Sequence, residues 1–179
     1  MNRMVLTVMS LLVLSGSQAL RAGDATIYAG FQNPGKLTIG NTVADNHLGT
    51  VVGARLSAGN FLGVIGIEPG FGYSPRFLEP GSSSTDLRAF NAHLNLLAGV
   101  TVDKINPYAT VGVGFVNTWG DSVRDFGLKF ALNYGGGIKF KRLMGPLGFR
   151  FDVRGYRIPA VFSQSLNMVE GSFGLLVSW

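Results

Sequence analysis

The spacings most able to do chemistry in this sequence are Arg150, Asp152 and Arg154 at alternate positions, and Asn91, His93 and Asn95 likewise. Arg55, Glu68, Lys129, Lys139 and Glu170 fall on comparable faces of their own segments. A pair of carboxylates could hydrolyse a glycoside if a substrate cleft lay beside it. Glu68, Asp152 and Glu170 instead have cations as same-face neighbours, so acid–base work is not expected. The two histidines, His47 and His93, stand far apart and match no zinc-ligand spacing. His93 reads as a hydrogen-bonded interior residue. There is no G-x-S-x-G, no H-E-x-x-H, no P-loop and no G-x-G-x-x-G. No catalytic, metal or cofactor site is expected.

Composition narrows the classes further. Of 179 residues 26 are glycine and none is cysteine, 46% are hydrophobic and only 14% charged. Without cysteine there is no disulfide scaffold, thiolate metal site or cysteine nucleophile. Charge lies well below the ~25% of an ordinary soluble domain, and glycine is about double its usual share. The length favours a single domain.

The first segment has the layout of a secretory signal peptide: Arg3, an apolar stretch over Val5–Leu14, then Ser17-Gln18-Ala19. Cleavage is expected after Ala19, with Ala22 as a second possibility, leaving residues 20–179 as one exported domain. Loss of Arg3 takes the formal charge from +5 to about +4. The basic residues are scattered except for Lys139-Phe140-Lys141-Arg142, and an exported chain seldom meets nucleic acid, so none is expected as a partner. No later apolar run reaches 18 residues, which excludes a transmembrane helix.

The elements that must hold these residues are strands. Phe149, Phe151 and Val153 alternate with Arg150, Asp152 and Arg154; a helix would scatter the three charges, whereas a strand collects them on one face. Phe173, Leu175, Val177 and Trp179 alternate with Ser172, Gly174, Leu176 and Ser178. Comparable alternation near residues 27, 52, 67, 94, 111 and 132 brings the expected number of strands to eight. The links alternate too, long over Asn33–His47, Ser74–Asp86, Asn117–Asp125 and Ile158–Asn167, short over Ala58–Asn60, Val102–Pro107 and Arg142–Pro146. That rhythm is expected of an all-β, eight-stranded, antiparallel up-and-down transmembrane barrel with short periplasmic turns and longer external loops.

The apolar face then meets lipid. Phe61, Phe140, Phe149 and Trp179 fall at the periplasmic rim and Phe71, Tyr73, Phe90, Phe115 and Phe130 at the external rim, as two aromatic girdles. Glycines such as Gly30, Gly53, Gly112 and Gly137 fall on the opposite face, where they make room for long side chains in a narrow lumen. Arg55, Glu68, His93, Lys129, Lys139, Arg150, Asp152, Arg154 and Glu170 are expected to form a network that plugs this lumen, because unpaired buried charge is costly. Pro69 has no N–H for a ladder, so a bulge or an early strand end is expected there. The external loops, near neutral in charge, name no ligand.

From Tyr134-Gly-Gly-Gly-Ile-Lys-Phe through Gly148-Phe-Arg-Phe-Asp-Val-Arg-Gly-Tyr156 to Gly171-Ser-Phe-Gly-Leu-Leu-Val-Ser-Trp179, the chain resembles small bacterial outer-membrane β-barrel proteins, the porin-like family that includes OmpX and the barrel domain of OmpA. The resemblance implies a monomer in the outer membrane with a structural, adhesive or weakly permeable role. It also implies recognition of the last strand by the barrel assembly machinery, through Phe173, Leu175 and Trp179. Lipid A deacylases are similar barrels with a His-x-Ser pair; here the spacing reads His93-Leu94-Asn95, and asparagine is no nucleophile, so the resemblance does not imply that activity. The alternative is a soluble exported barrel of lipocalin type binding an apolar small molecule, with its apolar face inward.

Overall fold

A computed structural model describes residues 23–35, 37–39, 42–44, 48–61, 64–78, 87–120, 127–161 and 164–179. The segment read as a signal peptide lies outside them. The strands are β1 (Gly23–Pro34), β2 (Leu37–Ile39), β3 (Thr42–Ala44), β4 (Gly49–Phe61), β5 (Ile65–Leu78), β6 (Leu87–Gly99), β7 (Ile105–Trp119), β8 (Leu128–Met144), β9 (Leu147–Val161) and β10 (Gln164–Ser178).

Eight of these close into an antiparallel barrel in the order β1-β10-β9-β8-β7-β6-β5-β4, and β1 returns to β4. Closure leaves none of the eight barrel strands with a free edge. β1 pairs with β10 from Asp24 opposite Ser178 to Pro34 opposite Met168. Its other side pairs with β4 from Gly23 opposite Ala58 to Gln32 opposite Gly49. The first and last strands thus form the seam, and the strand ends at Gly23 and Ser178 share one mouth. β2 and β3 form a separate two-stranded sheet within the link from β1 to β4.

The tight turns lie at that same mouth and follow ordinary turn chemistry. Gly145 has φ +63° in the connection that pairs Met144 with Leu147, the sense a two-residue primed turn requires at its first position. Asp103, between the bridged Val102 and Ile105, takes φ +54°, which an aspartate tolerates better than most residues.

Alternation decides what each face meets. β6 alternates buried and exposed along nearly its whole length. On the outside Ile27, Phe31, Val111, Phe151 and Leu175 are each exposed by half or more. On the inside Arg55, Glu68, Arg150, Arg154 and Glu170 are no more than 2% exposed. The lipocalin arrangement, apolar within and charged without, is therefore inverted in this barrel.

Two expectations are corrected. β5 runs unbroken through Pro69, which faces outward and sits opposite Leu94 of β6 in continuous register. On the β4 side the paired positions pass from Arg55–Gly70 to Ala58–Ile67 in one register, and the irregularity falls beyond, between Ala58 and Phe61. A barrel strand can lose one donor there because the pairs on both sides of the proline hold it in line. Secondly, strands extend into all four stretches read as long links, Ile158–Asn167 being mostly strand, and the stretch Ala58–Asn60 read as a short link lies wholly within β4.

Candidate functional site

The lumen is the part of the molecule where charged side chains converge. Its centre is Asp152 on β9, which receives three arginines. Arg55 Nη1 donates at 2.9 Å, Arg150 Nε at 2.7 Å and Arg154 Nη2 at 3.1 Å. Tyr108 also donates its hydroxyl to Asp152. Glu68, across the lumen on β5, accepts from Arg150 Nη1 and Arg154 Nη2, both at 2.6 Å, and from Ser57 Oγ at 2.9 Å. Glu170 takes Arg55 Nη2 at 2.5 Å and the Tyr156 hydroxyl at 3.2 Å.

The strand geometry explains this convergence. Arg150, Asp152 and Arg154 share one face of β9, so their side chains enter the lumen as a column. Arg55 on β4 and Glu68 on β5 reach that column from the far wall. Tyrosines complete the packing: the Arg55 guanidinium lies 3.8 Å from the centre of the Tyr28 ring, and that of Arg150 4.9 Å from Tyr108. Small residues open the space these rings need. A Cβ placed on Gly53 or Gly72 would lie 2.7 Å from the Tyr28 hydroxyl oxygen.

A second cluster lies nearer the turn end. Lys139 Nζ contacts both Asp24 carboxylate oxygens at 2.9 Å and Ser57 Oγ at 2.8 Å, while Lys141 Nζ reaches Asp24 at 3.1 Å. Together the two clusters hold five cations (Arg55, Lys139, Lys141, Arg150, Arg154) against four carboxylates (Asp24, Glu68, Asp152, Glu170), an excess of one. Such near-balance is what burial demands, since a charge left unpaired in the interior costs several kcal/mol.

Of the sequence-selected residues, Arg55, Glu68, Lys139, Arg150, Asp152, Arg154 and Glu170 are in these two clusters. His93 is buried beside them with its ring edge-on to Tyr156 at 6.4 Å between centres, but neither ring nitrogen has a hydrogen-bond partner among the described residues, so the expected hydrogen bond is not made: its ring packs against the network without joining it. Lys129 stands apart: half-buried opposite Val116 at the start of β8, it has no ion pair among the described residues. Sequence reasoning did not select Asp24, Ser57 or the three tyrosines. Asp24 lies at the very start of β1, where the alternation has only begun.

Beyond the charged layer the lumen changes character. Phe77, Leu87, Ala89, Val116, Ala131, Tyr156, Ile158, Val161, Leu166 and Met168 form a buried cluster. They come from the loop ends of β5 to β10, so an apolar layer lies toward the mouth opposite the tight turns. Several of these residues fall in stretches the alternation assigned to links, which hid the layer from the sequence.

Phe173, Leu175 and Trp179 all face outward on or just beyond β10. Phe173 packs against Phe151 at 4.9 Å and stacks on Phe149 at 5.6 Å. Phe71, Tyr73, Phe90, Phe115 and Phe130 are exposed on the outside; the side chain of Phe61 lies outside the described residues. Phe151 and Phe173 carry aromatic surface into the middle of β9 and β10, between the two rims.

No group of three or more His, Asp or Glu able to hold a metal ion occurs among the described residues. On β6 His93 and Asn95 both point inward and are buried.

No protein-family model and no curated protein matches the sequence. Solved structures do match in fold. Neisserial surface protein A aligns with a TM-score of 0.69 at 13% identity, over 88% of this chain and 99% of that one. The outer membrane protein OprG from Pseudomonas aeruginosa aligns at 0.57 and 15% identity, over 90% and 98%. The outer membrane enzyme PagL aligns at 0.50 and 15% identity, over 86% and 98%. The chain has the fold of the small eight-stranded β-barrels of bacterial outer membranes.

Proposed function

We propose that this chain is an integral barrel of a bacterial outer membrane whose lumen is plugged, so that its role is structural or adhesive and exercised at its exposed loops. The observation that carries this reading is the inversion of faces. Every barrel strand turns apolar side chains outward, over a belt that only lipid would cover favourably, while β1, β4, β5, β8, β9 and β10 bury paired charge inside. The lumen is blocked at two depths, by the arginine–carboxylate network and by the apolar layer above it. Either block alone leaves an eight-stranded barrel little room for a water column.

The reading places the tight turns in the periplasm and the mouth with the apolar layer outside. It includes engagement of the assembly machinery through Phe173, Leu175 and Trp179, and a monomeric barrel. It assigns no catalytic activity: Asn95, two residues after His93, has no hydroxyl to attack an acyl chain. Lipid A incubated with the folded barrel should keep all its acyl chains, and release of a fatty acid would overturn that part.

Fractionation tests the address. The protein should pellet with outer membranes, require detergent for extraction and show a heat-dependent shift in gel mobility; recovery as a freely soluble periplasmic protein would overturn the reading. Planar bilayers test the plug. Inserted barrels should give no conductance steps, and regular steps would show an open path.

A further inference from the structure

The one basic cluster in the sequence, Lys139-Phe140-Lys141-Arg142, is not used up by the lumen network. Simple alternation on β8 would send Lys139 and Lys141 inward and Arg142 outward. The strand does not end that way. A register irregularity falls between Phe140 and Met144, and within it Arg142 takes φ +54°. A long side chain rarely adopts that left-handed backbone, and bulges at barrel rims commonly re-aim a side chain. Here the bulge brings Arg142 to the wall of a cavity of about 470 Å³ at the mouth that carries the tight turns.

Lys104, Lys139, Lys141 and Arg142 line that cavity, together with Asp24 and Asp103. Among these side chains four cations face two carboxylates, an excess of two positive charges. Asp24 is already shared by Lys139 and Lys141 at 2.9 and 3.1 Å. Lys104 and Arg142 have no ion-pair partner among the described residues. Hydroxyl and amide groups of Thr101 and Asn106 add neutral hydrogen-bonding capacity to the same wall.

We propose that this vestibule binds a phosphate group, with Lys104, Lys141 and Arg142 as its cationic contacts. Near neutral pH a phosphate carries about one negative charge as the diester of a phospholipid and roughly one and a half to two as a monoester, so either falls within the excess of two. Arginine offers it a forked pair of donors and the lysines add point charges. The group could belong to a phospholipid of the adjoining leaflet or to a soluble phosphate-bearing compound; the recognition chemistry is the same.

The test uses the folded full barrel in zwitterionic micelles, titrated separately with inorganic pyrophosphate and with phosphatidylglycerol mixed into the micelle. Binding is followed by amide chemical shifts of residues 102–106 and 139–143. Saturable shifts confined to these two segments are expected with at least one probe, weakening as salt is raised. Pyrophosphate binding identifies a soluble source, and binding of phosphatidylglycerol alone a lipid one. The Lys104→Gln/Arg142→Gln variant should bind about tenfold more weakly or worse while keeping the heat-dependent gel shift that reports an intact barrel. No saturable shift with either probe, or equal binding by an intact double variant, would overturn the proposal. Since neither result depends on conductance or on cell fractionation, its failure is separable from failure of the membrane reading.

Discussion

Arg150 Nη1 lies 2.6 Å from Glu68 Oε2, on strands β9 and β5 that are not neighbours in the barrel wall, and both side chains are fully buried. The pair therefore spans the lumen rather than lining it. Arg154 grips the other oxygen of the same carboxylate at 2.6 Å, which makes Glu68 a bridge between the β9 column and the opposite wall.

Removing one member of this bridge leaves its partners charged and buried. Arg150→Ala should destabilise the barrel by about 3–5 kcal/mol, the usual cost of breaking a buried pair from one side. Urea unfolding in micelles, followed by tryptophan fluorescence, measures it. An unchanged midpoint would show that water already reaches the network.

Part of the glycine-rich inner face makes room for tyrosines, as Gly53 and Gly72 do for Tyr28. Gly72→Val should cost about 1–3 kcal/mol, as overpacking does, because the new side chain meets the Tyr28 hydroxyl and the Asn91 amide. Tyr28→Phe in the same chain removes the oxygen and should recover part of the loss. Strictly additive losses in the double variant would place the strain elsewhere.

Much of this was legible in one sequence, because period-two alternation is local. Arg150, Asp152 and Arg154 announce a strand with a charged face without reference to any other segment. The partners of that face do not announce themselves: nothing in the spacing of β9 says that Glu68 of β5 will reach Arg150, since the contact depends on barrel diameter and tilt. Asp24 and the apolar layer were hidden for a related reason. Near strand ends alternation fades, and at the loop end of the lumen Leu87, Ile158 and Leu166 are apolar residues facing inward, against the rule that holds for the rest of the barrel. Pro69 misled in the other direction, because a missing donor weakens a ladder locally without moving its register.

The outer face allows a sharper discrimination. Val111 on β7 is 59% exposed, flanked by Leu96 on β6 and Tyr134 on β8. Val111→Arg should cost about 2–4 kcal/mol if this position lies near the bilayer midplane. On a soluble barrel the same change would be close to neutral. Folding yield and urea midpoint in phospholipid vesicles distinguish the two.

The cysteine-free sequence permits the most direct test of the central claim, that the apolar face meets lipid and the charged face is sealed inside. Single cysteines introduced one at a time at Val111, Val113, Leu175 and Val177, and inward at Thr110 and Leu176, can carry a nitroxide label in reconstituted vesicles. Outward labels should be relaxed strongly by oxygen and weakly by a water-soluble nickel chelate, and inward labels weakly by both. Strong nickel relaxation at the outward positions would contradict the membrane barrel, and strong nickel relaxation at the inward positions would contradict the plug.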